Sequence, residues 1–330
     1  MTPEALRLLL VHAHPDDETL TMGATIAAAL DHGHRVVLVT CTRGEEGEVI
    51  GAAHAHRTSA RDDTLGTHRE TELADALAAL AAPGDAVVHH WLDALPGDGR
   101  RTWPTYRDSG MAVLPGGRAG VPPDVRPDAF AVADLDEAAD RLARLVSGER
   151  PHVVLTYDED GGYGHPDHVM AHRVALRAVE LAADAPEAPW DVPLVLAAAG
   201  DLDDLRAWLR AHPDPRAWDP TGPLPHLYVA PERLDAAVPA QPWLPRKVAA
   251  LRALPTQVTV EEPAGPGARF VLSNDVPQPL SGLERYRLLR PVAADAAEQV
   301  PRTTAADPLA ALTALVHGAS PTVPDAAPPG

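Results

Sequence analysis

Apolar positions along the first 183 residues fall into two alternating rhythms. Short runs at 6–11, 35–41, 85–89 and 152–157 are dominated by Leu and Val. They are brief and rich in β-branched residues, and they read as buried strands of a parallel sheet. Between them, apolar residues recur every three or four positions. After the first run, Leu20, Gly23, Ala24, Ala27 and Leu30 share one face of a predicted helix. Helices follow over 67–81, over 134–146 with Leu135, Ala138, Ala139 and Leu142 apolar, and from Pro166 to Ala183. His32-Gly33 supplies a glycine C-cap for the first helix, and Pro166 suits a first helical turn. This alternation predicts an α/β fold: a Rossmann-like, mostly parallel sheet flanked by helices, forming a catalytic core over 1–183.

Past residue 183 the pattern weakens. Strands are expected near 194–199 and 226–230 and a helix over 245–254. We read 184–300 as a smaller C-terminal subdomain that completes the substrate pocket, although no motif marks it. Residues 301–330 are mostly Ala, Pro and small polar residues and are expected to form a partly disordered tail. Two aperiodic stretches interrupt the core, 42–51 and 95–127. A loop as long as the second is usually functional.

Composition narrows the function. A chain of 330 residues that is 45% hydrophobic can bury one sizeable core. Its 28 basic and 47 acidic residues give a formal charge of −19. Such a surface repels nucleic acid and anionic lipid, so neither is an expected partner; protein partners are not legible. The lone Cys41 rules out an internal disulfide and a cysteine-rich metal site. Residues 1–5 lack the charged and apolar regions of a signal peptide, and no apolar run approaches the roughly 20 residues that span a bilayer. A soluble, cytoplasmic protein is expected.

Two predicted strands run into dense polar corners. The first ends in His12-Ala-His-Pro-Asp-Asp-Glu18, the other in Asp158-Glu-Asp-Gly-Gly-Tyr-Gly-His-Pro-Asp-His168. Ligands of open α/β sheets bind at the carboxyl ends of strands, where both corners lie. So many imidazoles and carboxylates in one place call for a compensating cation, most simply a divalent metal. His14, Asp17 and His168 make a two-histidine, one-carboxylate set with an open position; ligand type suits zinc and also Fe2+. Asp16 is then the general base that takes a proton from water. His165 and Asp167 form a second pair, in which the carboxylate would keep the imidazole charged for donation to an oxyanion or a leaving amine. Tyr163 is a further oxyanion donor. Helix capping by Asp16 or Asp17 is the competing reading of the first corner. His12 and His172 are expected to pack or to act from behind the site, and Cys41 to pack in its strand.

His14-Pro-Asp-Asp-Glu18 with Gly23, and Gly164-His-Pro-Asp-His168, resemble the two signature motifs of the LmbE/PIG-L family of zinc-dependent deacetylases. Thr40-Cys-Thr-Arg-Gly-Glu-Glu-Gly-Glu-Val-Ile50, Arg107-Asp-Ser-Gly-Met111 and Gly161-Gly-Tyr-Gly164 extend the likeness to the actinobacterial branch of mycothiol biosynthesis. The resemblance spans residues 6 to about 183. It implies one Zn2+ per chain on His14, Asp17 and His168, with Asp16 as base and Tyr163, His165 and Asp167 assisting. It also implies that Glu48, Arg69 and Asp108 hold sugar or inositol hydroxyls. For Glu48 a solvated loop, and for Arg69 a surface salt bridge, are the competing readings. The expected reaction is hydrolysis of the N-acetyl amide of N-acetylglucosaminyl-inositol, a small-molecule substrate. Alternatives are a mycothiol S-conjugate amidase, a deacetylase of another N-acetylglucosaminyl compound, and a sugar-binding homologue without catalysis. The last would have no need of the complete set of ligands and base seen here.

Overall fold

The computed structural model describes residues 5–95, 105–113, 119–292, 295–302 and 306–317. In the first half, β1 (Arg7–His12), α1 (Asp17–Asp31), β2 (Arg35–Thr40), α2 (Leu65–Leu80) and β3 (Val88–Trp91) come first. The short β4 (Ala112–Val113) and β5 (Ala119–Gly120), α3 (Leu135–Glu149), β6 (Val153–Thr156), the single turn α4 (Gly161–Gly164) and α5 (Pro166–Ala183) follow. The second half contains β7 (Leu194–Asp201), α6 (Leu202–Ala211), β8 (Tyr228–Val229), β9 (Ala236–Pro239) and α7 (Leu244–Arg252). It continues with β10 (Thr259–Glu262), β11 (Arg269–Val271), β12 (Gln278–Pro279), β13 (Leu283–Leu288), α8 (Ala296–Gln299) and α9 (Ala310–His317).

The main sheet has the order β3-β2-β1-β6-β7-β13-β9, with β8 beside the end of β7. β3, β2, β1, β6 and β7 are mutually parallel, whereas β13 runs antiparallel to both β7 and β9. The mostly parallel, helix-flanked sheet expected from the alternation is therefore present. From β1 the chain moves to β2 on one side and later enters β6 on the other. The crevice between the carboxyl ends of β1 and β6 is the switch point where such sheets bind ligands.

The period of two along β1 divides the core. Leu8 and Leu10 face α1 and α2 with Met22, Ile26 and Leu73, while Leu9 and Val11 face α3 and α5 with Leu142 and Val174. Helix α1 is apolar on nearly every side, which fits a helix covered all round. Its outer side is covered by α7 and by β13. Gly23 makes room for this, since a Cβ there would stand 3.2 Å from Lys247 Cγ. Lys247 Nζ pairs with Glu284 Oε1 at 2.6 Å, and the same carboxylate accepts the Ala24 and Thr25 amides at 3.0 and 2.7 Å.

Residues 184–300 thus extend the main sheet and also supply the separate three-stranded sheet β10-β11-β12. Within the expected tail, 306–317 are folded: Leu309 and Leu312 are buried, and Asp307 meets His34 Nε2 at 3.0 Å. The remainder of that tail, 303–305 and 318–330, lies outside the described residues, as do 96–104 and 114–118 of the long aperiodic loop and residues 1–4. No helix among the described residues is long and apolar enough to cross a membrane.

Candidate active site

The corner after β1 remains zipped to β2 beyond the strand ends. Cys41 and Thr42 amides donate to His12 and Ala13 carbonyls at 2.8 and 2.9 Å, and Thr42 Oγ1 donates to Ala13 O at 3.1 Å. This rigid edge carries His14. The opposite edge is the turn α4, where glycines at 161, 162 and 164 all have positive φ. At Gly161 a Cβ would lie 2.7 Å from His168 Cβ, so the missing side chain lets the turn close over the histidine.

Hydrogen bonds fix how each imidazole is presented. His168 Nδ1 stands 3.1 Å from the Gly161 carbonyl, which only accepts, so Nδ1 carries the proton and Nε2 is bare. His14 Nε2 lies 3.2 Å from Asp167 Oδ2 and 3.5 Å from Asp108 Oδ1, which makes it an N–H and, in the neutral ring, puts the lone pair on Nδ1. Asp17 Oδ2 accepts the His14 amide at 2.9 Å and the Tyr157 hydroxyl at 2.6 Å. His14 Nδ1 and His168 Nε2 are 3.3 Å apart; Asp17 lies 3.3 Å from the first through Oδ2 and 3.4 Å from the second through Oδ1.

His14 Nδ1, His168 Nε2 and the two oxygens of Asp17 therefore converge, each side chain steadied from behind. Donors about 2.0–2.1 Å from a tetrahedral ion stand about 3.3–3.4 Å apart, which is the spacing of the two imidazole nitrogens and of each from one Asp17 oxygen, so the three residues suit a metal such as zinc. Other donor groups overlap this one, namely His14 with His165 and His168, and His14 with Asp108 and Asp167. His165 Nδ1, however, accepts the Asp167 amide at 3.2 Å, which puts its proton on Nε2. The histidines and carboxylates also shift one another electrostatically. Burial alone would lower the His14 pKa, but Asp108, Asp167 and Asp17 raise it well above the usual value. Burial would raise Asp17, but His168 and His14 hold it well below the carboxylate range.

Asp16 occupies the N-cap position of α1 at φ 108° and ψ −36°, yet its side chain makes no cap bond. Its Oδ2 accepts instead from Arg69 Nη2 at 3.1 Å. Burial pushes this carboxyl up to about 7, against the lowering effect of Arg69. The capping reading of the corner therefore does not describe Asp16.

The anticipated pairing of His165 with Asp167 is not formed. Asp167 spends its carboxylate on His14, on the Ser109 amide at 2.9 Å and on the Ser109 hydroxyl. Burial, with His14 and His168 adding to it, drives the His165 pKa well below the usual value, so the ring is neutral with an Nε2 donor. Tyr163 is 47% exposed and stands edge-on to His168 at 5.2 Å between ring centroids.

Glu48, Arg69 and Asp108 do not share one environment. Glu48 is exposed and lines a cavity of about 1850 Å³ with Asp17, Met111, Tyr163 and His168, reaching to Trp218 and Tyr228 of the C-terminal third. Asp108 is buried beneath His14 and accepts the Gly110 and Glu46 amides at 2.9 and 3.1 Å. Arg69 is 3% exposed, behind Asp16. His12 is fully buried against Tyr157, and His172 Nδ1 meets the Tyr157 carbonyl at 2.8 Å.

Sequence reasoning passed over Tyr157 and Ser109. Tyr157 donates to Asp17, accepts the Ala13 amide at 2.8 Å, and stacks on His168 with centroids 4.2 Å apart and planes 17° from parallel. Its one signal was a phenol at the end of an otherwise aliphatic strand. Ser109 lies within the Arg107–Met111 motif, where a serine by itself carries no signal for this role.

The family model described as PIG-L, GlcNAc-PI de-N-acetylase, matches residues 9–179. A Kribbella flavida protein described as 1D-myo-inositol 2-acetamido-2-deoxy-alpha-D-glucopyranoside deacetylase is 44% identical over 300 residues, 87% of this chain and 93% of its own length. A Rhodococcus erythropolis protein of the same description is 43% identical, covering 91% of this chain and 97% of its own. Among solved structures, a deacetylase–teicoplanin complex is similar at 22% identity and a TM-score of 0.48, over 88% of this chain and 99% of that one. With the matched segment containing both polar corners and the relatives spanning nearly the whole chain, the protein belongs to the PIG-L family of de-N-acetylases.

Proposed function

We propose that this chain hydrolyses the N-acetyl amide of N-acetylglucosaminyl-inositol, releasing acetate and glucosaminyl-inositol in mycothiol biosynthesis, with zinc as its metal. The observation that carries this reading is the convergence of His14 Nδ1, Asp17 and His168 Nε2 at 3.3–3.4 Å, beside a carboxylate spent on no helix cap. The descriptions of the curated relatives support the choice of substrate.

In this reading His14, Asp17 and His168 hold one zinc ion. When bound, the metal supplies Lewis-acid polarisation of the acetyl carbonyl and acidifies water. Asp16 removes a proton from the attacking water as it adds to the carbonyl carbon. Negative charge then gathers on the carbonyl oxygen, and we assign its stabilisation to His165 Nε2–H and the Tyr163 hydroxyl. When the C–N bond breaks, the proton gained by Asp16 is available for the departing amine. Asp167 acts through His14, whose orientation it fixes together with Ser109 and Asp108. Glu48 faces the cavity and suits hydroxyl recognition, because charged acceptors on loops bind polyols.

The test is amine release from N-acetylglucosaminyl-inositol and from a mycothiol S-conjugate by the same zinc-loaded preparation. A higher kcat/KM on the acetylated sugar is expected. Preference for the conjugate would move the protein to the amidase branch, and no release from either would refute the substrate assignment.

A further inference from the structure

From the geometry we infer that Leu227 and Tyr228 form a strap from the C-terminal third that positions the α4 turn and, through its backbone, the imidazole of His168. The inference rests on the reading of His168 as a metal ligand. His168 Nδ1 donates to the Gly161 carbonyl at 3.1 Å. The amide of that same peptide unit, on Gly162, donates to Asp158 Oδ1 at 2.8 Å. The next carbonyl along, that of Gly162, accepts the Leu227 amide at 2.7 Å. Leu227 thus grips, by its main chain, the peptide adjoining the one that orients His168.

The turn needs a grip from outside. Its glycines offer no side chains to pack, and Gly162 stands at φ 74° and ψ −54°, close to the rare, strained γ-turn geometry. Such a conformation persists only where its neighbours over-determine it. Asp158 supplies one hold and the strap supplies a second.

The strap is itself pinned to the main sheet. The Leu227 carbonyl accepts the Gly200 amide at 2.8 Å, and β8 pairs with β7 through Gly200 with Tyr228 and Asp201 with Val229. The Tyr228 ring occupies the space beside Gly200, where a Cβ would stand 2.5 Å from Cε1 and 3.2 Å from Cγ. Only the missing side chain at 200 lets the ring settle there. Trp218 closes on the same ring, with centroids 6.4 Å apart and planes at 66°. A line of contacts therefore runs from the end of β7 through Tyr228 and Leu227 to Gly162 and His168.

Leu227 and Tyr228 also border the cavity, so the experiment has to separate positioning from substrate contact. Gly200→Ala places a methyl group where the Tyr228 ring lies, and the ring must move; in a Tyr228→Ala background the same methyl meets no ring. Gly200→Ala, Tyr228→Ala, the double variant and Tyr228→Phe are compared with the parent. Zinc affinity is read by chelator competition, kcat and KM on zinc-saturated enzyme, and protection of the Leu227 amide by hydrogen exchange. We expect Gly200→Ala and Tyr228→Ala each to weaken zinc binding roughly 10-fold and to lower kcat roughly 10-fold, with KM little changed and faster exchange at Leu227. The double variant should match Tyr228→Ala, and Tyr228→Phe, which keeps the ring, should match the parent. Zinc affinity and kcat equal to the parent in Gly200→Ala would overturn the positioning role, as would losses that multiply in the double variant. A raised KM with zinc affinity intact would make these residues substrate contacts instead. An unprotected Leu227 amide in the parent would remove the strap itself. Undiminished zinc affinity in His168→Ala would overturn the ligand reading and this inference with it, whereas the other contrary results leave that reading standing.

Discussion

Removing one hydroxyl, by Tyr157→Phe, should loosen the metal site without disturbing its shape. The phenyl ring would keep its stack on His168, at 4.2 Å and 17°, so the change isolates the oxygen. That oxygen donates to Asp17 Oδ2 at 2.6 Å and accepts the Ala13 amide at 2.8 Å. A hydrogen bond to a charged group is worth about 1.5–3 kcal/mol, and a buried amide left without a partner costs about 1–3 kcal/mol. Partial relaxation reduces the sum, so metal-free protein should lose about 2–4 kcal/mol of stability. Asp17 without its support should also grip metal more weakly, by roughly 10–100-fold, as when other groups behind a ligand are removed. Zinc affinity is read by competition with a chelator of known strength, and stability by urea unfolding of stripped protein. A zinc affinity equal to that of the parent would refute the idea that Tyr157 orients Asp17.

Three further outcomes follow from the same geometry. Asp16→Ala should retain zinc yet lose about 10²–10⁴-fold in kcat, and steady-state rates with a metal assay on one sample check both halves. Lys247→Met leaves Glu284 buried with its charge unpaired and should cost about 3–5 kcal/mol, read as a lowered urea midpoint; an unchanged midpoint would deny the clasp on α1 any role in stability. His152 is pushed down to about 4 from 6.5 by burial, while its Nδ1 accepts the Arg7 amide at 3.1 Å. Below pH 6.5 the unfolded chain takes a proton that the folded ring refuses, so stability should fall from pH 6.5 toward pH 4, by about 2 kcal/mol once solvent near the ring is allowed for. Melting curves of the parent and His152→Gln across that range should differ in slope, and parallel slopes would show that His152 does not titrate this way.

The convergence of His14, Asp17 and His168 was legible because both motifs are local. Each follows directly on a short apolar strand, and parallel strands at a switch point bring their carboxyl ends together. The partners of Asp167 were not legible. Two residues apart across the start of α5, His165 and Asp167 point in different directions, and Asp167 reaches His14 and Ser109 from distant parts of the chain. Arg69 lay in a predicted helix whose orientation no pattern reveals; only the fold turns it inward beneath Gly44. In the last third, β13 escaped notice because its inward positions are Glu284 and Tyr286, polar residues satisfied by α1 and α7, so the period of two carried no apolar signal. Helix α6 was missed in the same region, where the chain alternates between extending the main sheet and building a small one.

The central claim is a zinc-dependent amide hydrolase assembled at the β1–β6 crevice. Its most direct test is amine release from N-acetylglucosaminyl-inositol by metal-stripped protein, before and after one equivalent of zinc, with His168→Ala in parallel. Activity absent from stripped protein, restored by one equivalent and not restored in His168→Ala is the predicted result. Full turnover by stripped protein, or equal restoration of the His168→Ala variant, would contradict the account.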